Sequence, residues 1–318
     1  MITMKIELPI SVYANGYSVK HIDCRDIAYA GAASVYKKDG YFQFAFYRSV
    51  FSNWSALQND QDIVTAALQE VGLIDQIEKP NRFDELMNLL RSHLSGGEPC
   101  MVKVRDRCCF YCEKYLEQHN ALHFVLVSGI DDEKGTITLR EYMHVRQDIS
   151  EITRADLLCK LTITIDMFKD IWEKSRETFS CGRLISIREC DNGNTNQDAS
   201  TVLCNCLSKH ENKLINLIVK YNDIEQEINL MMEERTTYIG NMTVIFENLE
   251  KRYNLSSCDS YNEFKAEYIN HRDKTITALH ASKMRNQPLS DEKIKEMTRQ
   301  VQEYDNKLKD LVYSIIST

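Results

Sequence analysis

What the chain lacks narrows the class of protein to which it can belong. Its 318 residues contain no run of about 18 apolar residues, and the opening stretch does not join a basic start to a long apolar segment. We therefore expect neither membrane insertion nor secretion. The net charge of −8 argues against a nucleic-acid partner, because such a partner requires a basic surface. A glycine-rich phosphate loop and a His-Glu-x-x-His motif are also missing, so ATP-driven ligation is not expected.

Cysteine is plentiful, but its pattern does not indicate a disulfide framework. Eleven cysteines, an odd number, are scattered from Cys24 to Cys258. This pattern is typical of reduced thiols and predicts a cytoplasmic location. A hydrophobic fraction of 43% leaves room for one sizeable core and a second unit.

The hydrophobic period changes near residue 190. Before it, alternating apolar residues separated by turn signals predict strands and short helices. The stretch 191–198 is polar and turn-forming, which is typical of a linker. We therefore predict an α+β domain with an antiparallel sheet over residues 1–190, followed by a C-terminal α-helical bundle or hairpin over residues 198–318.

Long amphipathic helices are expected in the C-terminal region. One is expected around Tyr261 to Met284, and Ser290 with the acidic residues after it predicts the start of the last helix. The apolar stripes would pack within the bundle and on the α+β domain, or against a second copy of the chain to form a homodimer. Two stripes have spacings of three and four residues: Leu214, Leu217, Tyr221, Ile224, Ile228 and Met231, and Ile294, Met297, Val301, Tyr304, Leu308, Leu311 and Ile315.

A cysteine precedes a run of small apolar residues that predicts a buried helix. The run from Asp26 to Tyr36 contains no proline and is rich in alanine. Cys24 would lie in the first turn, where the helix dipole favours the thiolate form of a cysteine. The unpaired backbone N–H groups of that turn could also donate hydrogen bonds to an oxyanion. Cys24 is therefore a candidate nucleophile, the alternative being an inert buried thiol.

A histidine lies at the start of an internal strand about a hundred residues later. From Leu122 to Val127, His123 shares one face with two valines, and Phe124 shares the other face with Leu126. A histidine at this position would lie at the rim of the sheet and could face a cleft. His123 is therefore a candidate general base, and a structural histidine is the alternative.

Two carboxylates could orient the imidazole of His123. Alternation along Cys100 to Arg107 puts Asp106 on the apolar face of the strand before that of His123. Alternation along Thr136 to Glu141 puts Glu141 on the inner face of the strand that follows it. A buried carboxylate needs a partner, so either side chain could bond the histidine. Asp106 could instead hold the amine of a substrate.

These segments resemble a known family when taken together. They are His21 to Cys24, Met101 to Asp106 followed by Tyr111, Tyr115 and His119, and His123 to Asp132. They are similar to the butirosin-biosynthesis-protein-H-like family, a papain-like group related to the bacteriocin-processing cysteine peptidases. The resemblance covers roughly residues 5 to 190, with three blocks in the same order.

The resemblance implies a papain-like fold and an acyltransferase activity. Such an enzyme takes an acyl group from the phosphopantetheine thioester of an acyl or peptidyl carrier protein and delivers it to an amine. Cys24 would be the nucleophile and His123 the base, while no cofactor or metal is implied. Relatives act in thiotemplated natural-product assembly, including that of closthioamide. Papain-like peptidases carry an oxyanion-binding glutamine six residues before the nucleophile; that position is Ser18 here, so Asn15, Ser18 and His21 are the oxyanion candidates.

Two other functions remain as alternatives to the acyltransferase: a hydrolase with the same residues and a scaffold without catalysis. A cysteine peptidase or amide hydrolase would share the nucleophile and the base, and differ in passing the acyl group to water. A non-catalytic scaffold would have an unreactive Cys24.

Further cysteines and basic residues suggest weaker hypotheses. Cys109 and Cys112 have the spacing of a zinc half-site, but Cys204-Asn205-Cys206 has the wrong spacing for the second half, so no metal site is predicted.

Three basic residues, Lys103, Arg105 and Arg107, would share the outward face of their strand. They could form a docking patch for an acidic carrier protein, or simply a solvated face of the sheet.

Overall fold

The computed structural model describes residues 4–10, 24–57, 59–112, 121–142, 158–176, 181–190, 199–210, 241, 244–251, 254–255, 259–285, 287 and 290–316. The chain divides into two compact units. The first contains residues 1–19, 23–45 and 67–196, and the second contains residues 20–22, 46–66 and 197–318. The second unit therefore includes 46–66 in addition to the C-terminal region.

The described strands and helices are interspersed up to residue 189, and the described elements after it are helices. In chain order they are β1 (Lys5–Glu7), α1 (Cys24–Tyr36), α2 (Gly40–Asn53), α3 (Asp60–Glu70), β2 (Leu73–Glu78), α4 (Phe83–Ser95), β3 (Cys100–Arg105), β4 (Leu122–Asp131), β5 (Thr136–Tyr142), β6 (Leu158–Thr164), α5 (Ile165–Ser175), β7 (Leu184–Glu189), α6 (Ala199–Lys209), α7 (Asp259–Arg285) and α8 (Asp291–Ile316). Residues 244–251 are also helical.

The seven strands found among the described residues form one antiparallel sheet in the first unit. Six of them follow the order β2-β7-β3-β4-β5-β6, and β1 pairs with the C-terminal end of β4. All the described strand pairs are antiparallel. With its helices, this is the mixed α and β architecture with an antiparallel sheet that the alternating pattern predicts.

Alternation along the central strands gives the sheet two apolar faces. Val104, Val125 and Leu139 lie on one face, in a buried cluster that also contains side chains of α4 and α5. Helix α1 packs on the opposite face, where Leu126 points because it alternates with Val125 along β4. A Cβ atom at Gly31 would lie 2.9 Å from Leu126 Cδ2 and 2.6 Å from Leu158 Cδ1. The absence of a side chain at Gly31 therefore lets α1 approach the sheet closely.

Strand β1 lies very close to β4 at Gly129, a second position at which a side chain would not fit. A Cβ atom at Gly129 of β4 would lie 2.6 Å from the carbonyl oxygen of Ile6 in β1. The register of β4 with β5 also shifts between Val127 and Gly129, which leaves Ser128 in a bulge. Glycine at position 129 is therefore the residue that permits this pairing.

The second unit is held together by buried polar and aromatic contacts. Trp54 Nε1 donates a 2.7 Å hydrogen bond to Asp305 Oδ1 of α8, and both residues are buried. Phe246 makes edge contacts with the rings of Tyr261, Phe264 and Tyr268. These contacts connect segments that are distant in sequence.

The helices α7 and α8 match the expected positions of the C-terminal helices. The cap at Ser290 is confirmed, because its hydroxyl accepts a hydrogen bond from the backbone N–H of Lys293 at 3.3 Å. Met297 and Leu308 of the last stripe are buried. The expected linker 191–198 and the stripe from Leu214 to Met231 lie outside the described residues. Within the described part of the chain, no helix has the length and apolar character needed to cross a membrane.

Candidate active site

Cys24 is the first residue of α1 and lies next to the start of β4. Its thiol is partly exposed, and Sγ lies 3.9 Å from the carbonyl oxygen of Leu122. The helix that begins at Cys24 has buried residues from Asp26 to Ser34, because it packs on the sheet. Cys24 therefore combines a rigid position with solvent access and the unpaired N–H groups of a helix start.

His123 is the second residue of β4, opposite Val104 of β3, and is only 5% exposed. Its ring forms a hydrogen bond with the Cys24 thiol. The other contact of the ring is at Nε2, which lies 2.9 Å from Oε2 of Glu141. Nδ1 is the ring nitrogen that Glu141 does not engage. The structure thus brings the predicted nucleophile, base and one carboxylate together.

Glu141 lies near the end of β5 and is 2% exposed, on the inner face as alternation predicts. Its second oxygen, Oε1, accepts a 2.6 Å hydrogen bond from the hydroxyl of Tyr111. Both carboxylate oxygens are therefore engaged, one by the phenol and one by the imidazole. This gives a hydrogen-bonded chain from Tyr111 through Glu141 and His123 to Cys24, which we call the relay.

The electrostatics of the relay favour a protonated His123. Burial is the largest single influence and lowers the pKa of His123, but the charge of Glu141 and the hydrogen bonds to Cys24 and Glu141 raise it well above its usual 6.5. Burial, together with the electrostatic influence of its neighbours Cys109 and Glu141, raises the pKa of Tyr111, so its phenol remains a donor. A protonated imidazole has two N–H donors, so the ring can donate to Glu141 and to the sulfur of Cys24 at the same time.

Asp106 is also buried, but its carboxylate serves the turn that follows β3. The strand ends at Arg105, and residues 106–108 form a 3₁₀ turn instead of continuing the strand to Arg107. Oδ1 of Asp106 accepts hydrogen bonds from the backbone N–H groups of Arg107 at 2.8 Å and Ala121 at 3.0 Å. The carboxylate at Nε2 of His123 is that of Glu141.

Two cysteines of the same turn region lie beside the relay. Sγ of Cys109, Sγ of Cys112 and a ring nitrogen of His123 are all within 4.8 Å of one another, and all three residues are buried. Cys204 and Cys206, whose spacing made them a poor second half-site in the sequence, lie on α6 in the second unit. The third member of the group is thus a histidine from a distant strand.

Basic side chains cluster near the start of α1. Burial lowers the pKa of Lys103, and the charges of Arg183, Arg105 and Arg25 lower it further. Lys103 and Arg105 are on β3 and only partly exposed, whereas Arg107 lies in the 3₁₀ turn. The basic cluster therefore consists of Lys103 and Arg105 on β3, Arg25 next to Cys24, and Arg183.

The three oxyanion candidates, Asn15, Ser18 and His21, lie outside the described residues, as do Tyr115 and His119. Tyr111 was not assigned a role from the sequence, because it lies in an irregular segment where alternation predicts no facing. No family model matches this chain, and no curated protein is significantly similar to it in sequence.

Proposed function

We propose that this protein is a papain-like cysteine acyltransferase that forms amides from thioesters. The relay carries this proposal: a thiol at a helix start is hydrogen-bonded to a histidine whose other nitrogen is held by a buried carboxylate. Nucleophile, base and orienting group occur in that order along the chain. This is the constellation that nucleophilic acyl transfer requires.

Acylation begins with the Cys24 thiolate and the His123 imidazolium. The sulfur attacks the thioester carbonyl, and the backbone N–H groups at the start of α1 are the donors available to the oxyanion. When the tetrahedral intermediate collapses, the bond to the carrier sulfur breaks, and His123 gives its proton to the leaving thiolate. Glu141 stabilises the imidazolium throughout, and Tyr111 holds Glu141.

Deacylation reverses the direction of proton transfer. An amine attacks the Cys24 acyl-enzyme, and His123, now neutral, takes a proton from its nitrogen. The carbon–sulfur bond then breaks, which restores the thiolate and the imidazolium and releases an amide. No ATP is needed because aminolysis of a thioester is downhill.

The acyl donor in this proposal is a phosphopantetheine thioester on an acyl or peptidyl carrier protein. The basic cluster of Lys103, Arg105, Arg183 and Arg25 supports this choice, since Arg25 adjoins the nucleophile and carrier surfaces are acidic. The ten described cysteines are all free thiols, which is compatible with a cytoplasmic setting.

The proposal is tested by intact-protein mass spectrometry with a simple acyl thioester of pantetheine. The wild type should gain one acyl group and release an amide when an amine is added. The Cys24→Ala variant should gain none. Cys190→Ala removes another partly exposed thiol, at the end of β7, and should behave as the wild type does.

The outcomes separate the proposal from its rivals. An adduct that decays only to free acid in the presence of amine would make the protein a hydrolase. An adduct that persists in Cys24→Ala would show that another thiol reacts. Absence of an adduct with both the free thioester and a loaded carrier protein would indicate a scaffold without this chemistry.

A further inference from the structure

Three atoms that can bind a metal ion, two cysteine sulfurs and one histidine nitrogen, lie close together beside the relay. The thiols of Cys109 and Cys112 and a ring nitrogen of His123 lie within 4.8 Å of one another. The two cysteines are joined by a side-chain hydrogen bond and belong to one turn, in which the backbone N–H of Cys112 donates to the carbonyl of Cys109 at 2.8 Å. The mechanism proposed above uses neither thiol.

The separations are close to those of a tetrahedral zinc site. Zinc–sulfur bonds of about 2.3 Å and zinc–nitrogen bonds of about 2.0 Å put neighbouring ligand atoms roughly 3.5–3.8 Å apart. Atoms already within 4.8 Å therefore need to approach by little more than about 1 Å. Two thiolates and an imidazole, with one open position, form a donor set that zinc accepts in proteins.

The surroundings of His123 also suit a metal ligand. A metal-bound histidine usually donates its second ring N–H to a carboxylate, which fixes the orientation of the ring. Glu141 lies 2.9 Å from Nε2 and is itself held by Tyr111. The carboxylate that would orient the catalytic base is thus equally placed to orient a metal ligand.

We infer that Cys109, Cys112 and His123 bind a zinc-type divalent cation, and that this binding switches off the acyl-transfer site. Metal binding displaces the thiol protons of the two cysteines. His123 is already hydrogen-bonded in the relay to Cys24 and, through Nε2, to Glu141. A metal on the ring occupies the lone pair with which His123 would accept a proton, so the metal-bound protein lacks its base. The inhibitory role rests on the proposed function; the binding site does not.

The binding is tested on the full chain with Zn²⁺ alone, by competition against a chromophoric chelator with a phosphine reductant present. We expect one ion per chain in the wild type. Cys109→Ser and Cys112→Ser remove ligands and should weaken binding by more than the roughly 10–100-fold typical of losing an outer-shell partner. Cys108→Ser alters a neighbouring, partly exposed thiol outside the group and should bind as the wild type does. Cys24→Ala should also retain the ion.

Cobalt substitution of the wild type provides a measurement that needs no variant. Co²⁺ bound to the group should give thiolate-to-metal charge-transfer absorption together with the visible bands of tetrahedral cobalt. Absence of these bands would overturn the proposal, as would zinc affinity unchanged in Cys109→Ser and Cys112→Ser or equally weakened in Cys108→Ser.

Inhibition is measured as the rate of Cys24 acylation with and without Zn²⁺. Zinc should slow the wild type, a chelator should restore it, and Cys109→Ser should resist the metal. Metal binding in a protein that never transfers acyl groups would refute the proposed function and leave the binding site intact. Acyl transfer by a protein that binds no metal would refute the binding site and leave the proposed function intact.

Discussion

Removing one buried hydroxyl should loosen the relay without changing the packing. Tyr111→Phe deletes the donor that lies 2.6 Å from Oε1 of Glu141, and both residues are at most 2% exposed. A hydrogen bond to a charged group contributes about 1.5–3 kcal/mol, and phenylalanine fills nearly the same volume. We therefore expect the free energy of unfolding to fall by about that amount.

The same substitution should slow the reaction of Cys24. General base catalysis by a positioned group contributes about 10²–10⁴-fold, and a poorly held Glu141 should forfeit part of it, on the order of tenfold. The assay is the rate of Cys24 alkylation, followed by peptide mapping and compared with the other cysteines. Urea unfolding measured on the same preparations gives the stability.

Tyr29→Phe is the matched control. The hydroxyl of Tyr29 donates a 2.9 Å hydrogen bond to Asp75 Oδ2, again a phenol bonded to a carboxylate, but away from His123. This variant should lose stability while Cys24 reacts at the wild-type rate. Equal rates for wild type and Tyr111→Phe, or equal slowing by both variants, would refute the role of Tyr111 in positioning Glu141.

Three further substitutions test other parts of the account. In the wild type the raised pKa of His123 contributes stability that is full below about 6.5 and is lost as pH rises through the folded-state value, by at most about 1.4 kcal/mol per pH unit for one proton. Glu141→Gln removes a charge that raises this pKa, so urea unfolding at a series of pH values should show a smaller total decline that ends at lower pH. Trp54→Phe removes the buried bond to Asp305 and should cost about 1.5–3 kcal/mol in unfolding without affecting Cys24 alkylation. Gly31→Val overpacks α1 on the sheet and should cost about 1–3 kcal/mol and slow alkylation, because the helix start moves; unchanged alkylation would contradict the close approach.

The strongly periodic segments were predictable from the sequence. The small-residue run after Cys24 corresponds to α1, and alternation identified β4 and β5 and the buried side of Glu141. In each case the pattern reflects burial on one or two faces, which a sequence records directly. Alternation could not choose between Asp106 and Glu141, because it predicts a face and not a partner. Both are buried, yet backbone N–H groups engage one and His123 engages the other.

Features that depend on irregular backbone were not predictable. The 3₁₀ turn at 106–108 ends β3 two residues earlier than alternation suggested, and the next residues bring Cys109, Tyr111 and Cys112 to the relay. Sequence spacing made Cys204-Asn205-Cys206 a poor second half for the cysteine pair and pointed to no other partner. The side chain that lies beside the pair is that of His123, whose proximity arises from the pairing of β3 with β4. Such proximity is a tertiary property that local spacing does not encode.

The most direct test of the central claim is to locate the acyl group after a single turnover. The protein would be mixed with less than one equivalent of a pantetheine thioester, quenched in acid and digested, and the acylated peptide identified in the wild type and in His123→Ala. We expect acylation of Cys24 alone in the wild type and a large loss of the adduct in His123→Ala. An acyl group on another cysteine, or acylation of Cys24 at the same rate without His123, would contradict it.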